Sequence, residues 1–219
     1  MFNFFKKNKA TINSIEIPNF GWRKTIENNS IIQWINPEET IAISVHFFDL
    51  KPDLPTIIDL DKLRLFYRQS IAKINGGLIE VDIFKIKNNA VAKTIFKIPQ
   101  EPSEMTYLAS LTLPFENCSY VIKVQCAEIG MTGMRDAVMA SKLLASGELT
   151  IGENGYENWF SDPYDTSFKD GTLMNRSEQS IFDKDFPDHP LTQARIIIEK
   201  VKNELIFKPE IEKLIPFKK

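Results

Sequence analysis

Cysteine and histidine are scarce, at two each in 219 residues, and that scarcity narrows the available chemistry. A zinc site needs three or four converging nitrogen, sulfur or carboxylate ligands, and no recognised ligand spacing occurs. Cys118 and Cys126, eight apart and flanking or within one predicted strand, are about 26 Å from each other when extended, which is too far for a disulfide. Reduced thiols and a cytoplasmic setting are therefore expected. There is no G-x-S-x-G nucleophile elbow, no Gly-Lys-Ser/Thr phosphate loop and no dinucleotide fingerprint. The acidic stretches lack the order of a calcium loop. No catalytic residue, metal or cofactor is expected from these absences. Charge of one sign is also missing in bulk: the net charge is −2, which gives no global attraction to nucleic acid. No apolar run approaches the ~20 residues of a membrane helix. The opening "MFNFFKKNKATIN" places its phenylalanines before Lys6, Lys7 and Lys9, the reverse of a secretory signal, and is expected to be a frayed basic end.

What is present fits an ordinary globular chain, 43% hydrophobic and 26% charged. Near the start, "NSIEIPNF" and "SIIQWIN" suggest short strands, and "TIAISVHF" alternates with the period of a half-buried strand. A helix follows in "TIIDLDKLRLFYRQSIAKINGG", with Leu60, Leu63, Tyr67, Ile71 and Ile74 on its apolar side. Asp61, Lys62, Arg64, Arg68 and Lys73 fall on the exposed side, and Gly76-Gly77 is expected to close the helix. "LIEVDIFKIK", "AVAKTIFKI", "TYLASLTL" and "SYVIKVQCA" have short connections, one through Asn88-Asn89, and so predict neighbours in an antiparallel sheet. A second helix runs from Met134 to about Ser146 with Ala137, Val138, Ala140, Ser141 and Leu144 available to pack, and ends at Gly147. A last helix begins at Pro190, with the stripe Leu191, Ala194, Ile198, Val201 and Leu205, before a partly apolar tail suited to docking back. These elements predict an α+β fold, an antiparallel meander with helices on its faces, in one domain over residues 1–219.

Between them, about 147–189 has no sustained period. From Glu153 to Asp188 it carries nine acids against Lys169, Arg176 and Lys184, and seven aromatic residues. So many aromatics argue for an ordered segment wrapped over the body.

The element order resembles the Mog1/PsbP-like α+β sandwich over Ser14 to about Ser146. "GMTGMRD" and "FPDHPLTQAR" look like motifs of a group of uncharacterised bacterial cytoplasmic proteins. The first resemblance implies binding rather than catalysis, since proteins of that fold are typically binders, adaptors or chaperones.

Three places are candidate sites. The "GMTGMRD" turn suggests a strand-to-helix joint, with Thr132 as cap, Asp136 in the first turn and Arg135 placed to pair bidentately with a carboxylate of the acidic segment. His46 is expected to be a half-exposed strand residue. Asp188-His189-Pro190 suggests a helix cap, or else the acid–base centre of a hydrolase using His189 and nearby aspartates. "YENWFSDPYD" concentrates Tyr156, Trp159, Phe160, Asp162, Tyr164 and Asp165, the mixture that anchors protein interfaces and steers basic partners. A protein partner is therefore expected, a toxin or a secreted effector, with no nucleic acid and no membrane insertion; a small-molecule ligand stays open. On this reading, charge reversal at Asp162 and Asp165 with Trp159→Ala abolishes capture and spares the fold. A structural subunit of an oligomer is the remaining alternative.

Overall fold

The computed structural model describes residues 9–100, 104–130, 132–153 and 155–218; the basic tip through Asn8 lies outside them. Seven strands form the main sheet: β1 (Arg23–Glu27), β2 (Ile31–Ile35), β3 (Ile41–Phe48), β4 (Gly77–Ile86), β5 (Asn89–Gln100), β6 (Glu104–Pro114) and β7 (Ser119–Ala127). The helices are α1 (Leu60–Ala72), α2 (Met134–Ala145) and α3 (Pro190–Glu204). The spatial order is β1-β2-β3-β7-β6-β5-β4, antiparallel throughout. Two meanders therefore meet: the chain runs in through β1 to β3, crosses with α1 to the far edge, and returns until β7 pairs with β3 along Ile41–Phe48.

Strand alternation assigns the faces. Val91 and Ile95, with Leu111, Leu113, Ile122 and Val124, pack against Leu191, Ala194, Ile198 and Val201 of α3. Ala92 and Phe96, one residue out of phase, meet Leu63 and Ile71 of α1 on the other face. Burying each large aliphatic side chain of the α3 stripe contributes about 1.5–3 kcal/mol. A third cluster of Met139, Ala140, Leu143, Leu149 and Trp159 sits between α2 and the segment that follows it.

Several local expectations shift. Of "NSIEIPNF", only Ile15–Glu16 is a strand, paired with Ile206–Phe207, so the tail does dock back. The sequence reading missed β1, whose charged "RKTIE" has no apolar alternation; it is a bulged edge strand, a form that resists pairing with other chains. Lys87 and Asn88 form the β4–β5 turn, since Ile86 already pairs with Asn89. At the end of α1 the left-handed residue is Asn75, at φ 58°, rather than a glycine. Gly77 is required for a different reason: a Cβ there would lie 1.8 Å from the Thr172 carbonyl oxygen. The buried side of α2 is Arg135, Met139, Ala140 and Leu143, so the helix is rotated from the expected packing and Ala137, Val138 and Ser141 face outward.

Candidate functional site

Beyond Gly147 the chain divides into two unlike parts. The first is a hairpin, Thr150–Gly152 against Gly155–Glu157, with Ile151 directly opposite Tyr156. Ile151 is 69% exposed, Tyr156 45% and Phe160 just beyond 56%. From Gly147 to Asn158 there are three acids, Glu148, Glu153 and Glu157, and no base. Underneath lies Trp159, 4% exposed, its ring edge-on to Tyr156 at 5.8 Å and to Phe160 at 6.4 Å. The tryptophan is the foundation of the hairpin rather than part of its free surface.

The second part is a strap tied to the body by carboxylates. Asp162 is 3% exposed. Its Oδ1 accepts from Arg68 Nη2 at 2.8 Å and from the Tyr164 and Asp165 amides, both at 2.9 Å. Arg68 is therefore buried, against expectation, and the bond to Asp162 raises its affinity for its proton. Tyr164 is half-buried: its hydroxyl donates to the Val81 carbonyl and accepts from the Val81 amide on the edge of β4, while Arg64 stacks on its ring at 3.9 Å. Asp165 stays accessible beside Ser167, whose hydroxyl and amide donate to it and lower its pKa. Further along, Glu178 is buried against Lys97 Nζ at 2.8 Å and also accepts from the Tyr107 hydroxyl and the Asn175 amide. Burial, reinforced by the Glu178 charge, pushes the Tyr107 hydroxyl well up in pKa.

Arg135 is 1% exposed. It donates to the Ser177 and Gln179 carbonyls, to the Thr192 hydroxyl and to Asp183 at 3.0 Å. The expected tie to the acidic segment is therefore present, although not as a bidentate pair; Arg195, which the sequence reading did not single out, reaches both Asp183 oxygens through Nη1 alone. Thr132 is not the cap of α2. That position belongs to Gly133, in the left-handed conformation, whose N–H is taken by Glu128 from the preceding loop. Asp136 accepts from Ser177 and from the Asn175 side chain.

The N-terminal ends of α2 and α3 border a cleft of about 480 Å³ beside the start of β3 and the end of β7. Ile41, Ile129, Met134, Phe186 and Pro187 give it apolar walls, and Glu128 and His189 stand within it. His189 caps α3, its Nδ1 accepting from the Leu191 amide at 3.2 Å. The ring proton is thus carried on Nε2, which faces Glu128 Oε1 at 4.0 Å. Burial, aided by Arg135 and Arg195, lowers the His189 pKa to about 4. Desolvation chiefly raises that of Glu128. Asp188 lies exposed at the rim and is not the cap. Cys126 lines the same cleft with its thiol pushed up to about 12, so it offers no thiolate. This arrangement suits hydrogen bonding better than proton abstraction, because a base with a pKa near 4 is weak at neutral pH. His46, half-buried on β3, bonds Ser44 through Nε2 at 2.9 Å. Among the described residues no cluster of three potential metal ligands occurs, and no helix is long and apolar enough to cross a membrane.

No family model matches the chain, and neither does any curated protein. Solved structures do. The chain is similar to the Ran-binding protein Mog1p of Saccharomyces cerevisiae at 6% identity and a TM-score of 0.46, over 89% of this chain and 90% of that one. It is also similar to the PsbP protein of the cyanobacterium Synechocystis, at 10% identity and a TM-score of 0.40, over 63% and 87% of the two chains. A Bacteroides thetaiotaomicron protein matches at 12% identity and a TM-score of 0.33; the match covers 50% of this chain and only 37% of that one. The α+β architecture expected from the sequence, an antiparallel sheet with helices packed on its faces, is found in the structure, and the likeness to these proteins extends to the fold alone.

Proposed function

We propose that this chain is a non-enzymatic bacterial protein-binding module of the cytoplasm, an immunity protein that neutralises a toxin or an adaptor for a secreted effector. The observation that carries this reading is the hairpin. It sets Ile151 and Tyr156 side by side in solvent, with Phe160 adjacent, on a stretch from Gly147 to Asn158 whose charged residues are all acids. Exposed aromatic and aliphatic side chains lose free energy to water that a partner would recover. The acids speed the approach of a basic partner and disfavour acidic ones. Of the six residues expected at the interface, Tyr156 and Phe160 keep this role, and Ile151 joins them. Trp159 and Asp162 are inside the protein, so substituting them would loosen the strap and confound any binding measurement.

The test is affinity capture from the native cell with the wild-type chain and with an Ile151→Ser, Tyr156→Ala, Phe160→Ala variant. The expected result is one partner enriched by the wild type and lost with the variant, at unchanged circular dichroism. Equal capture by both would place the interface elsewhere. The hydrolase alternative is less well supported, since the lone pair of Nδ1 is used in capping α3.

A further inference from the structure

The Glu128–His189 cleft is not used by the hairpin and has its own recognition chemistry. Both neighbouring helix N-termini are already occupied from within the chain: Glu128 takes the Gly133 amide and His189 the Leu191 amide. An anionic ligand would find these donors spent and would face Glu128 and Asp188 as well. Arg135, the cation in the wall, is committed to four internal acceptors, and Lys142 is spent on Asp185. What the cleft offers is a carboxylate with one oxygen unbonded among the described residues, a fixed N–H donor 4.0 Å from the other oxygen, and an apolar wall. The donor is held in place twice, by its capping bond and by the edge-on Tyr107 ring at 5.4 Å.

A ligand complementary to this set carries a positive donor, a neutral acceptor close to it, and an apolar group. A free peptide amino terminus has all three. Its ammonium nitrogen and first carbonyl oxygen are roughly 3 Å apart by backbone geometry, and its first side chain branches from the atom between them. We propose that the cleft captures the unmodified amino terminus of a protein partner, Glu128 receiving the ammonium and the Nε2–H of His189 the first carbonyl oxygen. The first side chain then lies against Ile41, Ile129, Met134 and Phe186, which favours an aliphatic residue there. Charge-assisted pairing in a partly desolvated site supplies the selectivity.

The proposal rests on the protein-binding reading only in naming the partner as a protein, and it is tested separately. A short peptide amide beginning with isoleucine, dye-labelled at its far end, is titrated with the full chain by fluorescence anisotropy, alongside the same peptide N-acetylated. The expected result is saturable binding of the free-amine peptide and at least tenfold weaker binding of the acetylated one. Glu128→Gln keeps an acceptor for the Gly133 amide and should weaken the free-amine peptide at least tenfold. Equal binding of the two peptides, no saturable binding at millimolar concentration, or an unaffected Glu128→Gln variant would each overturn the assignment. The Tyr156→Ala, Phe160→Ala variant should bind the peptide like wild type. Capture that survives the hairpin substitutions while the peptide still binds overturns the hairpin reading alone. Hairpin-dependent capture without peptide binding overturns the cleft assignment alone.

Discussion

The hairpin Thr150–Glu157 and the strap from Asp162 to Asp183 are consecutive stretches of one segment, both rich in acids and aromatic side chains, yet they use them in opposite ways. On the strap, the carboxylates of Asp162, Glu178 and Asp183 meet Arg68, Lys97, Arg135 and Arg195, all presented by the body. On the hairpin no base from the body reaches Glu153 or Glu157 among the described residues, and the apolar side chains point outward. The difference lies in what stands opposite. An acid next to a waiting buried cation becomes an anchor, because separating that pair would leave a charge stranded away from water. An acid with no such counterpart stays solvated and free to meet another molecule.

The contrast is open to attack, most severely at its anchored end. Lys97→Met removes one half of a fully buried pair and strands Glu178, so it is expected to cost about 3–5 kcal/mol, measured as a lower urea midpoint with wild-type slope. A loss below about 1 kcal/mol would mean that the strap is held mainly by its apolar contacts.

The junction between strap and α3 should respond to pH. The folded-state pKa of His189 is about 4, against 6.5 for the ordinary side chain. The unfolded chain therefore binds the extra proton more readily between those values. The contribution is complete above pH 6.5 and is lost as the pH falls towards 4, with an amplitude of about 3 kcal/mol at most. Asparagine is a good N-cap that does not titrate. His189→Asn should accordingly narrow the gap between urea midpoints at pH 7 and pH 4.5, and parallel pH dependences for the two proteins would refute a buried neutral imidazole.

The smallest effect is expected at the hairpin. Glu153→Lys should change stability by less than about 0.5 kcal/mol while slowing association with a basic partner at low salt. A stability loss similar to that of Lys97→Met would show that the hairpin, too, is structural.

Six strands of the main sheet and all three helices were legible because their signals are local. Strict alternation marked β3, short turns marked the meander, and Pro190 with its apolar stripe marked α3. β1 was not, since an exposed edge strand buries too little to impose a period on "RKTIE". The rotation of α2 was lost because its most buried residue, Arg135, counts as polar until its four acceptors are in place. Arg68 was assigned to solvent for the same reason, as its partner lies 94 residues away. The site was less legible than the fold. Tyr156, Phe160 and His189 were picked out, but Glu128 became relevant only when the fold brought it to α3. Ile151 carried a usable signal: an Asn-Gly pair between Ile151 and Tyr156 is a hairpin pattern. The aromatic cluster next to it drew the reading towards Trp159 instead.

The long separation between strap carboxylates and their cations has a temporal side. Arg68, Lys97 and Arg135 all precede their partners in the chain, so the sheet can assemble while these charges are still hydrated. Contacts spanning 81 and 94 residues carry a high closure entropy and form late. Interactions made after the folding barrier leave the rate of reaching the native state nearly unchanged and act on the rate of leaving it. Weakening the strap's ion pairs should therefore leave the folding rate nearly unchanged and shorten the lifetime of the folded protein.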